Sequence, residues 1–268
     1  MSTIASWLAG RDADARRDVE VLISYLTGRS RAWLYAHGDE ALAADVAARL
    51  SQLLVRRRAG EPIAYLIGHR EFFGLDLEAS AAALVPRPET ELLVELALEQ
   101  LPPAARVLDL GTGSGAIAVA IATQRPDCIV SASDIDIAAL DLAERNAARH
   151  RARIEFRASD WFEGWAERRF DLVVANPPYV AAQDPHLDAL GFEPSIALVS
   201  GPEGLDALTA IVAGAAAHLA RGGRLILEHG AEQGERVRAL LGRAGFRDVA
   251  TRRDLAGRER ATLGRDER

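Results

Sequence analysis

Between residues 106 and 230, short apolar runs alternate with helical ones, and no other feature constrains the fold as much. RVLDLG (106–111), CIVSASD (128–134), RIEFRASD (153–160), FDLVVANPPY (170–179) and GRLILEHG (223–230) read as buried strands. GAIAVAIATQ, AALDLAERNAARH and the stretches around 204–220 and 232–243 read as helices between or after them. ETELLVELALEQ (89–100) reads as a helix ahead of the first strand, and two strand candidates close the chain. Such alternation predicts an α/β fold with a parallel, doubly wound sheet. Its ligands are expected at the carboxyl ends of the strands.

The first 60 residues follow a different period. Val19, Leu22, Ile23 and Leu26 fall on one face of a helix that Gly28 would end. Ser30 is placed to N-cap a short helix closed by Gly38, and Leu42, Val46, Leu50, Leu53 and Leu54 form a further apolar stripe. Arg56, Arg57 and Arg58 would then sit at a helix C-terminus, where they complement the helix dipole and face solvent. A small all-helical domain is therefore expected. A strand-rich stretch at 71–86 would link it to the α/β part.

The 268 residues, 49% hydrophobic and 26% charged, suit one large domain plus a small one. No run approaches the roughly 18 apolar residues of a membrane span, and MSTIASWLAGRDADARRD lacks a signal-peptide pattern. The single cysteine, Cys128, leaves no internal disulfide and no paired-cysteine metal knuckle. These features predict a cytoplasmic protein with no membrane association. All 32 basic residues are arginine. Residues 1–75 hold ten arginines against nine carboxylates, whereas the remainder carries a net charge of −8. An acidic main part weighs against a nucleic-acid substrate, since phosphate-binding surfaces need a basic field.

VLDLGTGSGA (107–116) places Gly111, Gly113 and Gly115 between a strand and a helix, with Thr112 and Ser114 interleaved. Glycines there permit a tight turn and bring backbone N–H groups close to a ligand. With Ala116 the run also satisfies the relaxed dinucleotide fingerprint. Asp134 ends the next strand, where it can grip ribose hydroxyls in either case. Two features favour S-adenosylmethionine over a nicotinamide dinucleotide. Asp109, just before the glycines, suits a cationic sulfonium and ammonium, and Asp160-Trp161 suits adenine's amino group and ring face. Together with DLGTGSG they resemble the Rossmann-like, seven-stranded class I methyltransferase fold.

The fourth strand exits in Asn176-Pro177-Pro178-Tyr179, which resembles the motif of methyltransferases that modify a planar –NH2 group. An amide nitrogen's lone pair is delocalised, as the roughly 18–20 kcal/mol rotation barrier of the peptide bond shows. Turning that lone pair toward a methyl donor takes two fixed acceptors, one per N–H: the Asn176 side-chain oxygen and the Pro177 carbonyl. The prolines fix φ and remove competing donors. Tyr179 would offer a flat face to the substrate. No strong base is required, and none of the six histidines forms a triad or metal spacing; no metal is expected. His229 reads as a polar strand-end residue.

NPPY alone leaves a protein amide, adenine N6 and guanine N2 open. GEPIAYLIGHREFFG (60–74), PRPETE (86–91), FEPSIAL (192–198) and DLAGRERATLG (254–264), with DLGTGSG and NPPY, resemble the peptide chain release factor glutamine N5-methyltransferase family. The resemblance implies methylation of the glutamine in the Gly-Gly-Gln loop of bacterial class I release factors, using S-adenosyl-L-methionine and yielding S-adenosyl-L-homocysteine. It implies cofactor contacts at Gly111, Thr112, Gly113, Ser114, Gly115, Asp134, Trp161 and Asn176. Asp160 is added to these from its strand-end position. Substrate contacts would fall at Asn176, Pro177, Pro178 and Tyr179, with Asn176, Pro177 and Tyr179 catalytic. Arg87 and Glu89 are candidates for shaping the donor site or the hinge. Asp136 departs from the small residue frequent there in the family. The expected domains are a helical substrate-recognition domain at 1–70, a linker or hairpin at 71–88 and the catalytic domain at 89–268, in a monomer. The competing readings are an adenine-N6 or guanine-N2 nucleic-acid methyltransferase, and a catalytically silent S-adenosylmethionine-binding protein.

Overall fold

The structure, a computed structural model, describes residues 3–267. Met1, Ser2 and Arg268, at the ends of the expected first and last domains, lie outside the described residues. The chain divides into two compact units, Met1–Gly68 and His69–Arg268.

The first unit is helical: α1 (Ile4–Leu8), α2 (Ala13–Thr27), α3 (Arg31–Ala36), α4 (Ala44–Arg58) and α5 (Ile63–Ile67). The caps match local chemistry. Asp12 and Ser30 accept from Ala15 and Trp33 backbone N–H groups, and Gly28 ends α2 with φ 68°. Val19, Leu22 and Ile23 of α2 pack with Leu34, Leu50, Leu54 and Leu66 into one apolar core. Leu42, expected within the fourth-helix stripe, is buried ahead of it, because the helix starts only after Ala43. Arg56 and Arg57 are not simply solvated: they pair with Glu61 and Asp18.

The second unit begins with a hairpin, β1 (His69–Phe72) and β2 (Leu75–Glu78), turned by Phe73 and Gly74, both at positive φ. The strand-rich stretch expected to reach residue 86 ends here. From Ala79 the chain is a run of small residues that turns on Ser80, whose carbonyl accepts from Ala83 N–H. Then follow α6 (Glu91–Gln100), β3 (Arg106–Leu110), α7 (Ala116–Gln124), β4 (Ile129–Asp134), α8 (Ile137–Arg149), β5 (Ile154–Ala158) and β6 (Phe170–Ala175). The chain ends with α9 (Asp206–His218), β7 (Leu219–Glu228), α10 (Gly234–Arg243), β8 (Arg247–Arg253) and β9 (Glu259–Arg265).

The seven strands run in the order β5-β4-β3-β6-β7-β9-β8. Five are parallel, as expected from the alternation; β9 is antiparallel to both neighbours. The reason is local: β8 and β9 are joined by a short turn, which can only reverse direction. Central strands bury both faces. On β6, Leu172 and Val174 join one apolar layer, while Val173 and Ala175 join the other. The order reverses between β3 and β6, the switch point of a doubly wound sheet, so the glycine loop and NPPY emerge side by side.

Candidate active site

The glycine loop is shaped from behind. Asp109 shares with Val107 the face of β3 that α7 covers, and it is 1% exposed. Its Oδ2 accepts from the Thr112 hydroxyl at 2.6 Å and from Ala118 N–H at 3.2 Å. Burial pushes this carboxyl up to about 7 against those two bonds. Asp109 therefore braces the loop, and strand parity keeps it from the ligand-facing place that its sequence position suggested. Buried Asn146 of α8 completes the brace. Its amide nitrogen donates to Ser114 O at 2.9 Å and Glu78 O at 3.1 Å, and its oxygen accepts from Glu78 N–H at 2.7 Å.

A cavity of about 510 Å³ lies at the carboxyl ends of the strands. Gly111, Thr112, Gly113, Ser114, Asp134, Asp160, Trp161, Asn176 and Pro178 line it; Gly115, Pro177 and Tyr179 do not. Gly115 has φ 82°, and a Cβ there would come within 3.1 Å of the Ala143 Cα on α8. Helix packing accounts for this glycine, which the sequence reading had assigned to the cofactor. Asp134 takes Gly113 N–H on Oδ2 at 2.8 Å and Asp136 N–H on Oδ1 at 3.0 Å. Burial raises its pKa; the two N–H bonds oppose the rise. Each carboxylate oxygen keeps a lone pair for a hydroxyl of a ligand. The Trp161 ring lies over Gly111, where a Cβ would stand 3.4 Å from it.

Among the described residues, the charged side chains lining the cavity are four carboxylates (Asp134, Asp136, Asp160 and Asp206) and one guanidinium, Arg87. A pyrophosphate does not fit that donor set, whereas a ligand carrying a sulfonium and an ammonium does. The residues present fit S-adenosylmethionine.

Asn176 is held by a residue that the sequence reading did not single out. Its Nδ2 donates to the Thr90 Oγ1 at 3.2 Å. Its Oδ1 is buried and has no partner. Thr90, 4% exposed, ends the short turn built by PRPET. Pro177 is buried, between Asn176 and Pro178, both of which line the cavity. Tyr179 stands beside the cavity: its hydroxyl donates to Glu228 Oε1 at 3.2 Å, and its carbonyl accepts from Gln233 Nε2 at 3.0 Å. The ring packs partly into the apolar layer. That anchoring keeps it out of the wall where a flat substrate platform was expected. Burial and the neighbouring Glu228 push its phenol up. Glu228 is itself 1% exposed, and burial pushes its carboxyl up to about 7, opposed by Thr90, Arg260 and Tyr179.

PRPETE and FEPSIAL meet. The Arg87 guanidinium donates to Glu193 Oε1 at 2.5 Å, and Glu193 Oε2 accepts from Val85 N–H at 3.1 Å. Pro194, Ile196 and Ala197, which follow Glu193, line the cavity. Glu89 lies instead in a separate depression with Glu91, Glu95 and Arg253. His229 is fully buried, with Nδ1 on Gly230 O and Nε2 on the Thr262 hydroxyl, as a strand-end structural residue would be. Thr90, Asn146, Glu193 and Glu228 were missed as site residues. The available signal was a polar side chain at the end of an apolar run, clearest for Glu228 after LIL.

Residues 3–68 match the family model for the PrmC N-terminal domain, and residues 88–191 match that for the methyltransferase small domain. A release factor glutamine methyltransferase from Xylella fastidiosa (strain Temecula1) is 51% identical over 269 residues, covering 98% of each chain. The Escherichia coli (strain K12) protein of that name is 48% identical over 255 residues, covering 93% of this chain and 92% of its own. A solved methyltransferase from Pyrococcus furiosus matches with a TM-score of 0.57 at 18% identity, covering 84% of this chain and 100% of that one. A T. thermophilus 16S rRNA N2 G1207 methyltransferase, solved with AdoMet and guanosine, matches with a TM-score of 0.55 at 23% identity, covering 74% of this chain and 50% of that one. The two structures establish the class I methyltransferase fold. Identity near one half over nearly the whole length goes further, and by it the chain belongs to the release factor glutamine methyltransferase family.

Proposed function

We propose that this chain methylates the side-chain amide nitrogen, N5, of the glutamine in the Gly-Gly-Gln motif of bacterial class I peptide chain release factors. S-adenosylmethionine bound in the cavity supplies an electrophilic methyl group and leaves as S-adenosylhomocysteine. The glycine loop, Asp134, Asp160 and Trp161 would hold it.

The observation that carries the reading is the Asn176 Oδ1. It is a buried acceptor with no partner, on a side chain that lines the cavity and whose nitrogen is committed to Thr90. An unpaired buried acceptor costs about 1–3 kcal/mol. A substrate N–H relieves that cost, so the site prefers a ligand that donates. Asn176 Oδ1 and the Pro177 carbonyl take one N–H each of the glutamine amide and fix its plane, so that the nitrogen lone pair faces the methyl group. As the N–C bond forms, the nitrogen gains positive charge and its protons become acidic. One then leaves to water without a strong base. Pro178 and Tyr179 keep this segment stiff. The helical residues 1–70 grip the release factor, 71–88 join the parts and 89–268 carry out transfer, in a cytoplasmic monomer. The carboxylate-lined cavity and the acidic main part disfavour nucleic acid.

The test is to incubate the protein with methyl-labelled S-adenosylmethionine and, separately, a purified release factor, total RNA and DNA. Label is expected on the release-factor glutamine. Label in RNA or DNA alone would sink the reading, and none anywhere would leave a silent binding protein. Asn176→Ala should lower kcat by about 10²–10³, as when one preorganised transition-state hydrogen bond is removed. Near-normal kcat in that variant would break the clamp account.

A further inference from the structure

Asn176-Pro177-Pro178-Tyr179 spans two fixed ends. On one side, Ala175 is the last residue of β6 and is paired with both β3 and β7. On the other, Val180 N–H donates to Leu198 O, Ser200 N–H to Val180 O and Ala182 N–H to Gly201 O, each at 2.9 Å. Val199, Ser200 and Gly201 line the cavity. The segment that would hold the glutamine amide is thus hydrogen-bonded to the wall that would hold the methyl donor. In between, the two prolines have no N–H to donate.

Gln233 pins the junction. It precedes α10, but its side chain does not cap that helix. Its Nε2 donates to Tyr179 O at 3.0 Å and to Gly204 O at 3.1 Å, and its Oε1 accepts from Gly230 N–H at 2.8 Å. Carbonyls only accept and a backbone N–H only donates, so these partners fix which way the amide points. Gly204 is shaped to the contact. It is buried at φ 71°, and a Cβ there would stand 2.2 Å from Tyr179 O and 2.9 Å from Gln233 Nε2. One side chain therefore holds together the exit of NPPY, the loop ahead of α9 and the stretch after β7.

We propose, resting on the amide-clamp reading, that Gln233 is a positioning residue: by fixing the Tyr179 carbonyl against Gly204, it holds Asn176 and the Pro177 carbonyl at the distance from the donor wall that methyl transfer needs. Between the Pro177 and Tyr179 carbonyls lies only Pro178, whose φ is locked, so a shift of one is passed to the other. Transfer needs reacting atoms about 3–3.5 Å apart, and a displacement of about 1 Å costs on the order of 10²-fold. Gln233 does not itself line the cavity. Its effect falls on the rate of the step and not on binding.

The test uses the full chain, after the wild type has been shown to methylate a release factor. Failure of that first measurement sinks the functional reading and this proposal with it, whereas the variants bear on Gln233 alone. Gln233→Met keeps the shape and loses the donors; Gly204→Ala pushes the same carbonyl from the other side. With kcat counted per S-adenosylmethionine-binding site titrated by calorimetry, each should lose about 10- to 100-fold in kcat, with KM for the release factor and Kd for S-adenosylmethionine within about threefold. The double variant should be no worse than the worse single one. A purely structural role lowers the melting temperature and leaves kcat per site unchanged. Wild-type kcat in Gln233→Met, a loss confined to KM, or additive losses in the double variant would overturn the proposal. Should Gln233→Met not fold, Gln233→Glu, which keeps an acceptor for Gly230 N–H, takes its place, and wild-type kcat there overturns the proposal equally.

Discussion

Gly113 and Gly115 share the left-handed region, with φ of 56° and 82°, yet a methyl group meets different surroundings at each. At Gly115 it would lie 3.0 Å from Ala143 Cβ and 3.1 Å from Ala143 Cα, backbone that cannot step aside. Gly115→Ala should cost roughly 2–4 kcal/mol, combining left-handed strain with overpacking between α7 and α8. At Gly113 the nearest atom is Ala83 Cβ at 3.8 Å, an ordinary contact on the cavity wall. Gly113→Ala should cost only the strain, about 1–2 kcal/mol, and should weaken S-adenosylmethionine binding the more. Thermal melts and equilibrium dialysis on the two variants separate these effects. Equal melting losses would show that Ala143 is not the constraint on Gly115.

In the connection from β6 to α9, Glu193 reaches across to the stretch that holds Val85 and Arg87. Residues 194–201 contribute much of the cavity wall, and Glu193 ties them to Arg87 and Val85. Glu193→Gln keeps a carbonyl oxygen for Val85 N–H but loses the charge. Arg87 is about one-third exposed, so the pair is worth about 1 kcal/mol. Kd for S-adenosylmethionine should therefore rise about three- to tenfold, measurable by calorimetry; an unchanged Kd would detach the loop from the donor site. FEPSIAL and PRPETE were legible as motifs, but their meeting was not, because they lie over a hundred residues apart and only the sheet order brings them together. Strands β3, β4 and β6 were legible since their interiors are buried on both faces and read as short runs of apolar and small residues. Residues 79–86 were not: a run of alanines has no period of its own. Asp109 was misread because side-chain direction alternates along a strand, and sequence position alone did not say which face α7 would cover.

At the scale of the whole molecule, the two units should answer pH differently. In His69–Arg268, burial holds both Asp109 and Glu228 up to about 7. Between their ordinary values and about 7, the folded state binds protons that the unfolded state has already lost, so stability falls as pH rises. His229 has the opposite sign, since burial lowers its pKa and folding there improves as pH approaches 6.5. Above 6.5 that contribution is spent and the carboxyls dominate. From pH 6.5 to 8 each carboxyl should cost about 0.8 kcal/mol, roughly 1.5 kcal/mol together. In Met1–Gly68 the buried carboxylate is Glu20. Burial pushes its pKa up, but hydrogen bonds from Tyr35, Arg31 and Arg16 prevail and hold it below the ordinary value. Its contribution is complete above the unfolded value and is lost only as pH falls below it. Hydrogen exchange followed by mass spectrometry, corrected for intrinsic rates, should show protection of β3, β4 and β6 declining over this window while that of α2 stays level. Asp109→Asn keeps an acceptor for Thr112 and Ala118, so it should halve the decline in the sheet without touching α2. No decline in the sheet would mean that these carboxyls are ionised throughout, and an equal decline in α2 would mean that they are not its cause.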